Sequence, residues 1–124
     1  MVRTVFVVED EPELMEIIAR VLDQQGFTVL QARDASECEA RLEEFTGQID
    51  LLLTDVVLPI GLGREVAKAV QAKHPGCLIL FMSGYLDLEP EEYPEIKGEN
   101  FLPKPFTILA LSEKIKRLLT APKI

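Results

Sequence analysis

Cysteine is scarce in this chain of 124 residues: Cys38 and Cys77 are the only two, with neither a CxxC pair nor a Cys/His ligand spacing. That argues against a disulfide scaffold and a zinc-ribbon site, and favours reduced, structural thiols in a cytoplasmic protein. Long apolar runs are missing too. None approaches the roughly 18 residues of a membrane span, and Met1-Val2-Arg3-Thr4 leads straight into a short strand without a signal-peptide pattern. Positive charge is in deficit: 13 Lys and Arg stand against 21 Asp and Glu, a net charge of −8. Such a surface repels phosphate backbones and anionic bilayers, so direct binding to nucleic acid or to a membrane is not expected. Internal repeats and low-complexity linkers are absent. What is present is an ordinary globular balance, 48% apolar and 27% charged. The length argues for one domain over residues 1–124, able to bury about two-thirds of its unfolded surface.

Two hydrophobic periods alternate along the chain. Thr4–Val8 is a continuous β-branched and aromatic run, the mark of a strand buried on both faces. Pro12 then suits the first turn of a helix, and Leu14, Ile17, Ile18, Val21 and Leu22 recur at helical spacing up to Gly26. Phe27–Ala32 reads as a second strand. Asp34, with Glu37 three residues on, predicts a capped helix carrying Ala35, Cys38, Leu42 and Phe45. Leu51–Asp55 is a third strand. Gly61 and Gly63 mark a loop before a helix of Val66, Ala67 and Val70 that stops by Pro75-Gly76. Leu78–Met82 and Asn100–Pro103 are the fourth and fifth strands. Thr107 can cap a last helix with Ile108, Leu111, Ile115, Leu118 and Leu119 on one face. Residues 84–98 break the pattern: Pro90, Pro94 and five carboxylates leave room for only a short helical piece. Repeated strand–helix alternation implies an α/β fold, a doubly wound five-stranded parallel sheet, with ligands bound outside the carboxyl ends of the strands.

The residues at those ends are therefore the ones to read. They are Glu9 and Asp10 after the first strand, Asp55 after the third, Ser83 after the fourth and Lys104 after the fifth. Singly, each has an ordinary explanation: acids at a helix start, a loop cap, a solvated lysine. Jointly, chance is a poor explanation. Crowded carboxylates repel one another and favour a hard divalent cation with oxygen ligands, for which Mg²⁺ is suited. An aspartate can accept a phosphoryl group as an acyl phosphate, and a fixed cation and a hydroxyl can stabilise its spread charge.

With VVEDEP, LLLTDVVLP, FMSGY and LPKPF in this order and spacing, the sequence resembles the response-regulator receiver domains of two-component and phosphorelay signalling, across essentially its full length. The resemblance implies a flavodoxin-like (βα)5 fold with strand order 2-1-3-4-5. Asp55 would be the phosphoacceptor. Asp10, Asp55 and the main-chain carbonyl of Val57 would ligate Mg²⁺, with Glu9 acting through water. Ser83 and Lys104 would hold the phosphoryl group, Phe101 would be the switch aromatic paired with Ser83, and the Lys104–Pro105 bond would be cis. The donor would be a histidine kinase or a histidine phosphotransfer protein. It would dock on an apolar edge of Leu14 and Ile17, left over by a first-helix stripe wider than a core needs, together with Pro105 and Phe106. LLLTDVVLP with FMSGY further resembles receivers of hybrid kinases. The acidic, proline-broken stretch after Ser83 departs from the regular helix of the family, which forms its output face with the fifth strand and the last helix. Because Thr120–Ile124 closely follows the last helix, no output domain is expected, and no enzymatic activity beyond self-catalysed phosphorylation and autodephosphorylation.

Three rival readings fit these residues less well. An aspartyl-phosphate hydrolase wants a second acid two residues after its nucleophile, where Val57 stands. A flavin mononucleotide binder wants a Ser-, Thr- or Gly-rich loop in place of Glu9-Asp10-Glu11. A non-phosphorylated interaction module of the same fold has no need of the full set of strand-end residues.

Overall fold

The computed structural model describes residues 2–84 and 91–120. Five strands, β1 (Thr4–Val8), β2 (Thr28–Ala32), β3 (Leu51–Asp55), β4 (Leu78–Ser83) and β5 (Phe101–Pro103), form one sheet. Its order is β2-β1-β3-β4-β5, and every neighbouring pair is parallel. The helices are α1 (Pro12–Gln24), α2 (Ala35–Glu44), α3 (Gly63–Lys73) and α4 (Ile108–Thr120).

Continuous apolar strands are explained by the two layers they serve. Phe6, Val8 and Leu52 turn to one face, where they meet Cys38 and Leu42 of α2 and Val66 and Val70 of α3. Val5, Val7, Leu51 and Leu53 turn to the other, against Met15, Ile18 and Leu22 of α1 and Leu111 and Ile115 of α4. All five residues of β1 and of β3 are buried, so neither central strand has a polar face. Cys38 and Cys77 are free thiols in the first of these layers, and burial pushes both up to about 12.

Helix starts follow the expected local chemistry. Pro12 opens α1. The Asp34 carboxylate accepts the Glu37 amide at 2.9 Å, and Thr107 Oγ1 accepts the Ala110 amide at 3.0 Å. The differences lie at ends. Phe27 precedes β2, because Gly26, at φ +93°, reverses the chain and leaves the Phe27 amide bonded to the Leu22 carbonyl. Asn100 closes a 3₁₀ turn (Gly98–Asn100) instead of opening β5. Ile108 was expected on the buried face of the last helix, yet it is 55% exposed. It is the first residue of α4, and a helix face is covered only where a sheet runs beneath it; β5 is just three residues long. Between Ser83 and Phe101 no α-helix occurs among the described residues; part of the expected short helical piece falls on residues 85–90, outside them. Likewise, among the described residues no helix is long and apolar enough to cross a membrane.

Candidate functional site

Parallel strands all release their chains at one edge of the sheet, and there the separated acids meet. Asp55 ends β3 and is held in place twice: the Val56 amide donates to the Met82 carbonyl at 3.0 Å, and Thr54 Oγ1 donates to the Asp55 carbonyl at 3.0 Å. Glu9 is almost fully buried at the end of β1, where its carboxylate accepts the Glu11 amide at 2.9 Å. Lys104 arrives from β5, fixed by its amide on the Ser83 carbonyl at 2.8 Å. Its Nζ lies 2.6 Å from Glu9 Oε1 and 2.7 Å from Asp55 Oδ1. The contact to Asp55 is an ion pair without hydrogen-bond alignment, and it leaves that buried oxygen without a directed donor. Asp10 is exposed beside them, and one oxygen from each of Glu9, Asp10 and Asp55 lies within 4.8 Å of the others.

One ammonium does not neutralise this group. Burial pushes the Asp55 carboxyl up, and Glu9 adds to it against the pull of Lys104, to about 7. Burial also acts upward on Glu9, but the Lys104 ammonium and the Glu11 amide outweigh it and hold Glu9 below the usual carboxylate range. For Lys104, burial is outweighed by Asp55 and Glu9, and the ammonium is stabilised. The site therefore has a surplus of oxygen donors over positive charge. That is the donor set of a hard divalent cation, and the undirected Asp55 oxygen fits one.

The cleft above has a volume of about 420 Å³ and is lined in part by Asp10, Asp55, Val57, Ser83 and Lys104. Gly61, at φ +87°, closes the loop after Val57, and Val57 faces Leu62 in an antiparallel bridge. The bonds of that bridge are carried by Gly63 N–H to Val56 and Leu58 N–H to Gly61, at 2.8 and 3.2 Å, so the Val57 carbonyl is not consumed by it. A second cleft, of about 550 Å³, shares Gly84 and Lys104 with the first and contains Leu14, Ile17, Pro105 and Phe106. The structure thus brings the acids, Ser83, Lys104 and Val57 together and sets the apolar edge alongside. Phe101 is not in the cleft; it is half-buried at the start of β5, in register with Phe81. The Lys104–Pro105 peptide is cis.

A family model for the response regulator receiver domain matches residues 5–116. The chain belongs to that family. The sensor kinase CckA of Brucella abortus is 33% identical over 117 residues, 94% of this chain but 12% of that protein. The transcriptional regulatory protein CpxR of Klebsiella pneumoniae is 30% identical over 115 residues, 93% of this chain and 48% of that one. This receiver domain therefore spans about half, or far less, of the curated relatives it matches. A solved receiver domain of the hybrid histidine kinase CckA superposes with a TM-score of 0.78 at 34% identity, covering 94% of this chain and 99% of that one. Receiver domains take part in two-component signalling by phosphoryl acceptance and relay, and generally depend on Mg²⁺.

Three features of the receiver domain escaped the sequence reading. Thr54 was visible as the one hydroxyl in an otherwise apolar run before Asp55, and it anchors the Asp55 backbone. Gly63 does more than punctuate a loop: a Cβ there would stand 2.2 Å from the Asp55 carbonyl oxygen. Ile108 and Leu109, 55% and 67% exposed, closely follow Pro105 and Phe106 in the chain and add apolar surface at that end.

Proposed function

We propose that Asp55 is the phosphoacceptor of this receiver domain and that a phosphohistidine on a histidine kinase or phosphotransfer protein is its donor. The observation that carries this reading is the ion pair of Lys104 with a buried Asp55 inside an open, acid-lined cleft. The Asp55 carboxylate attacks phosphorus, the phosphorus–nitrogen bond to imidazole breaks, and the leaving nitrogen takes a proton from solvent. Lys104 neutralises charge on the phosphoryl oxygens, and Ser83 supplies a hydroxyl on the same side. Asp10, Asp55 and the Val57 carbonyl would hold Mg²⁺, with Glu9 behind them, and the ion would supply the second positive charge that the transfer needs. Val57 presents an alkyl group where an aspartyl-phosphate hydrolase has its second acid, which supports a relay or switch over a turnover enzyme. Phe101 would respond to Ser83 across the β4–β5 pair.

The direct test is a small phosphodonor with Mg²⁺ and intact-mass analysis. One phosphoryl group is expected, mapped to the peptide containing Asp55; label on another carboxylate would sink the assignment.

Metal binding should register in stability. Because the acids disperse on unfolding, Mg²⁺ binds the native state preferentially and stabilises by RT ln(1 + [L]/Kd), about 1.4 kcal/mol at ten times Kd. Thermal melts with and without millimolar Mg²⁺ should show this, and Asp10→Ala should erase most of it. An unchanged midpoint with Asp10 intact would refute the site.

Partner recognition should separate from chemistry. Ile17 is 51% exposed in the second cleft, so Ile17→Ser leaves the fold and the acids untouched. Transfer from the cognate phosphohistidine protein should slow about ten-fold, equivalent to about 1.4 kcal/mol, while labelling by a small phosphodonor stays constant. Equal slowing with both donors would mean that the site itself had been damaged.

A further inference from the structure

Opposite the acidic cleft, at the edge where the strands begin, a hollow of about 460 Å³ opens between the end of α1 and the second half of α4. β1 separates the two sites: Arg3 precedes it, Glu9 follows it, and its five residues span about 16 Å. The hollow has an apolar lining, with Ile115 buried and Phe27 and Leu119 half-buried. One wall is fixed by Gln25 Nε2, which donates to Ser112 Oγ at 2.7 Å and ties the end of α1 to α4. Its volume is that of a small-molecule site, for which a few hundred to about 1,000 Å³ is usual.

Charge at the rim is of one sign. Arg3 and Lys116 line the hollow and no aspartate or glutamate does, in a chain whose net charge is −8. Arg3 is pinned in place by Nη1, which donates to the Leu119 carbonyl at 3.0 Å and leaves the rest of the guanidinium for another acceptor. Among the described residues neither Arg3 nor Lys116 makes an ion pair, whereas Arg20, Arg33, Arg41, Arg64 and Lys104 all do. The helix ends then set how much negative charge fits. α1 and α4 both bring their carboxyl ends to this edge, each worth about −0.5 charge, against two full positive charges. About one positive charge is left over, which a carboxylate matches and a dianionic phosphate exceeds.

We infer that this hollow binds a free amphipathic monoanion, a carboxylate on an apolar body, with Arg3 and Lys116 on the carboxylate and Phe27, Ile115 and Leu119 on the body. The site shares no residue with the acidic cleft and does not depend on Asp55 being the phosphoacceptor. Octanoate is the probe, titrated into the full ¹⁵N-labelled chain and read by amide chemical shifts. Gly26, Phe27, Ser112 and Lys116 should shift and saturate, while Asp10, Asp55 and Lys104 stay unmoved. Octanol, the same body without the charge, should bind at least about ten-fold more weakly. The double variant Arg3→Gln with Lys116→Gln should lose octanoate affinity by about the same factor, and Ser112→Leu, which fills the hollow and removes no charge, should abolish binding. Vesicles containing phosphatidylglycerol should not sediment the protein. Equal affinity for octanol and octanoate, no saturable shift around Phe27 and Ser112, or a double variant matching wild type would overturn the site. Sedimentation with vesicles that the double variant loses would assign the rim to a bilayer surface and overturn it equally. The octanol comparison uses wild type and decides the matter even if a variant fails to fold.

Discussion

Asp55→Asn is expected to abolish labelling by a small phosphodonor and, at the same time, to stabilise the metal-free protein. The loss follows from chemistry, since an amide oxygen is no nucleophile for phosphorus and the neighbouring Glu9 is committed to Lys104 and the Glu11 amide. The gain follows from charge. Burial and then Glu9 push the Asp55 carboxyl up to about 7, far above its ordinary 3.8, so in the folded chain its ionisation is resisted. A group whose folded pKa is raised in this way costs nothing below its unfolded value. Its cost grows as pH climbs from about 4 to 7 and is constant above that. Three units, already net of the pull of Lys104, correspond to at most about 4 kcal/mol, so Asp55→Asn is expected to gain about 2–4 kcal/mol at pH 8 and nothing near pH 4. Melts of both proteins in chelator across this range check the sign. Saturating Mg²⁺ should shrink the difference, because only wild type keeps its full set of ligands. A variant less stable than wild type at pH 8 in chelator would mean that Asp55 is satisfied in the metal-free fold.

Gly63→Ala is expected to be among the most destabilising single-methyl additions in the chain. The added Cβ would stand 2.2 Å from the Asp55 carbonyl oxygen and 3.2 Å from its carbon, and both atoms are backbone of a central strand. Neither α3 nor β3 can retreat cheaply, because the Gly63 amide is bonded to Val56 at 2.8 Å. Overpacking against backbone of this kind costs about 3 kcal/mol, or about 10 °C in Tm for a domain of this size. Phosphorylation should fall as well, since whatever shift relieves the clash moves Asp55. Gly76→Ala is the control: a Cβ there meets nothing within 4 Å, and its effect should be small. If the two substitutions cost the same in a denaturant melt, close approach is not what requires Gly63.

Much of the architecture was legible from period alone. Runs such as Leu51–Asp55 have no polar alternation because two layers of helices cover them, and that property survives without knowledge of any contact. The strand-end acids were legible for a related reason: parallel strands place their carboxyl ends together whatever lies between. The reading of Leu14 and Ile17 as surplus apolar surface rested on helical angle and proved sound for Ile17, which is exposed, while Leu14 is half-buried against the core. Ile108 failed the same reasoning because angle says which side of a helix a residue takes, and not whether anything lies there.

By itself the sequence determined the parallel sheet, its two covered faces and the set of residues gathered at one edge, since these depend on local period and residue type; the order and spacing of its motifs carried the resemblance to receiver domains. Only the tertiary structure decided how those residues share charge. Lys104 lies 95 positions from Glu9, yet its ammonium sits between Glu9 and Asp55, and burial at that junction separates two carboxyls that look alike in the chain. The same holds for Gly63 against the Asp55 carbonyl and for Arg64 against Glu92, Tyr93 and Glu95, where distance and burial, quantities absent from any one-dimensional pattern, set what a side chain can do.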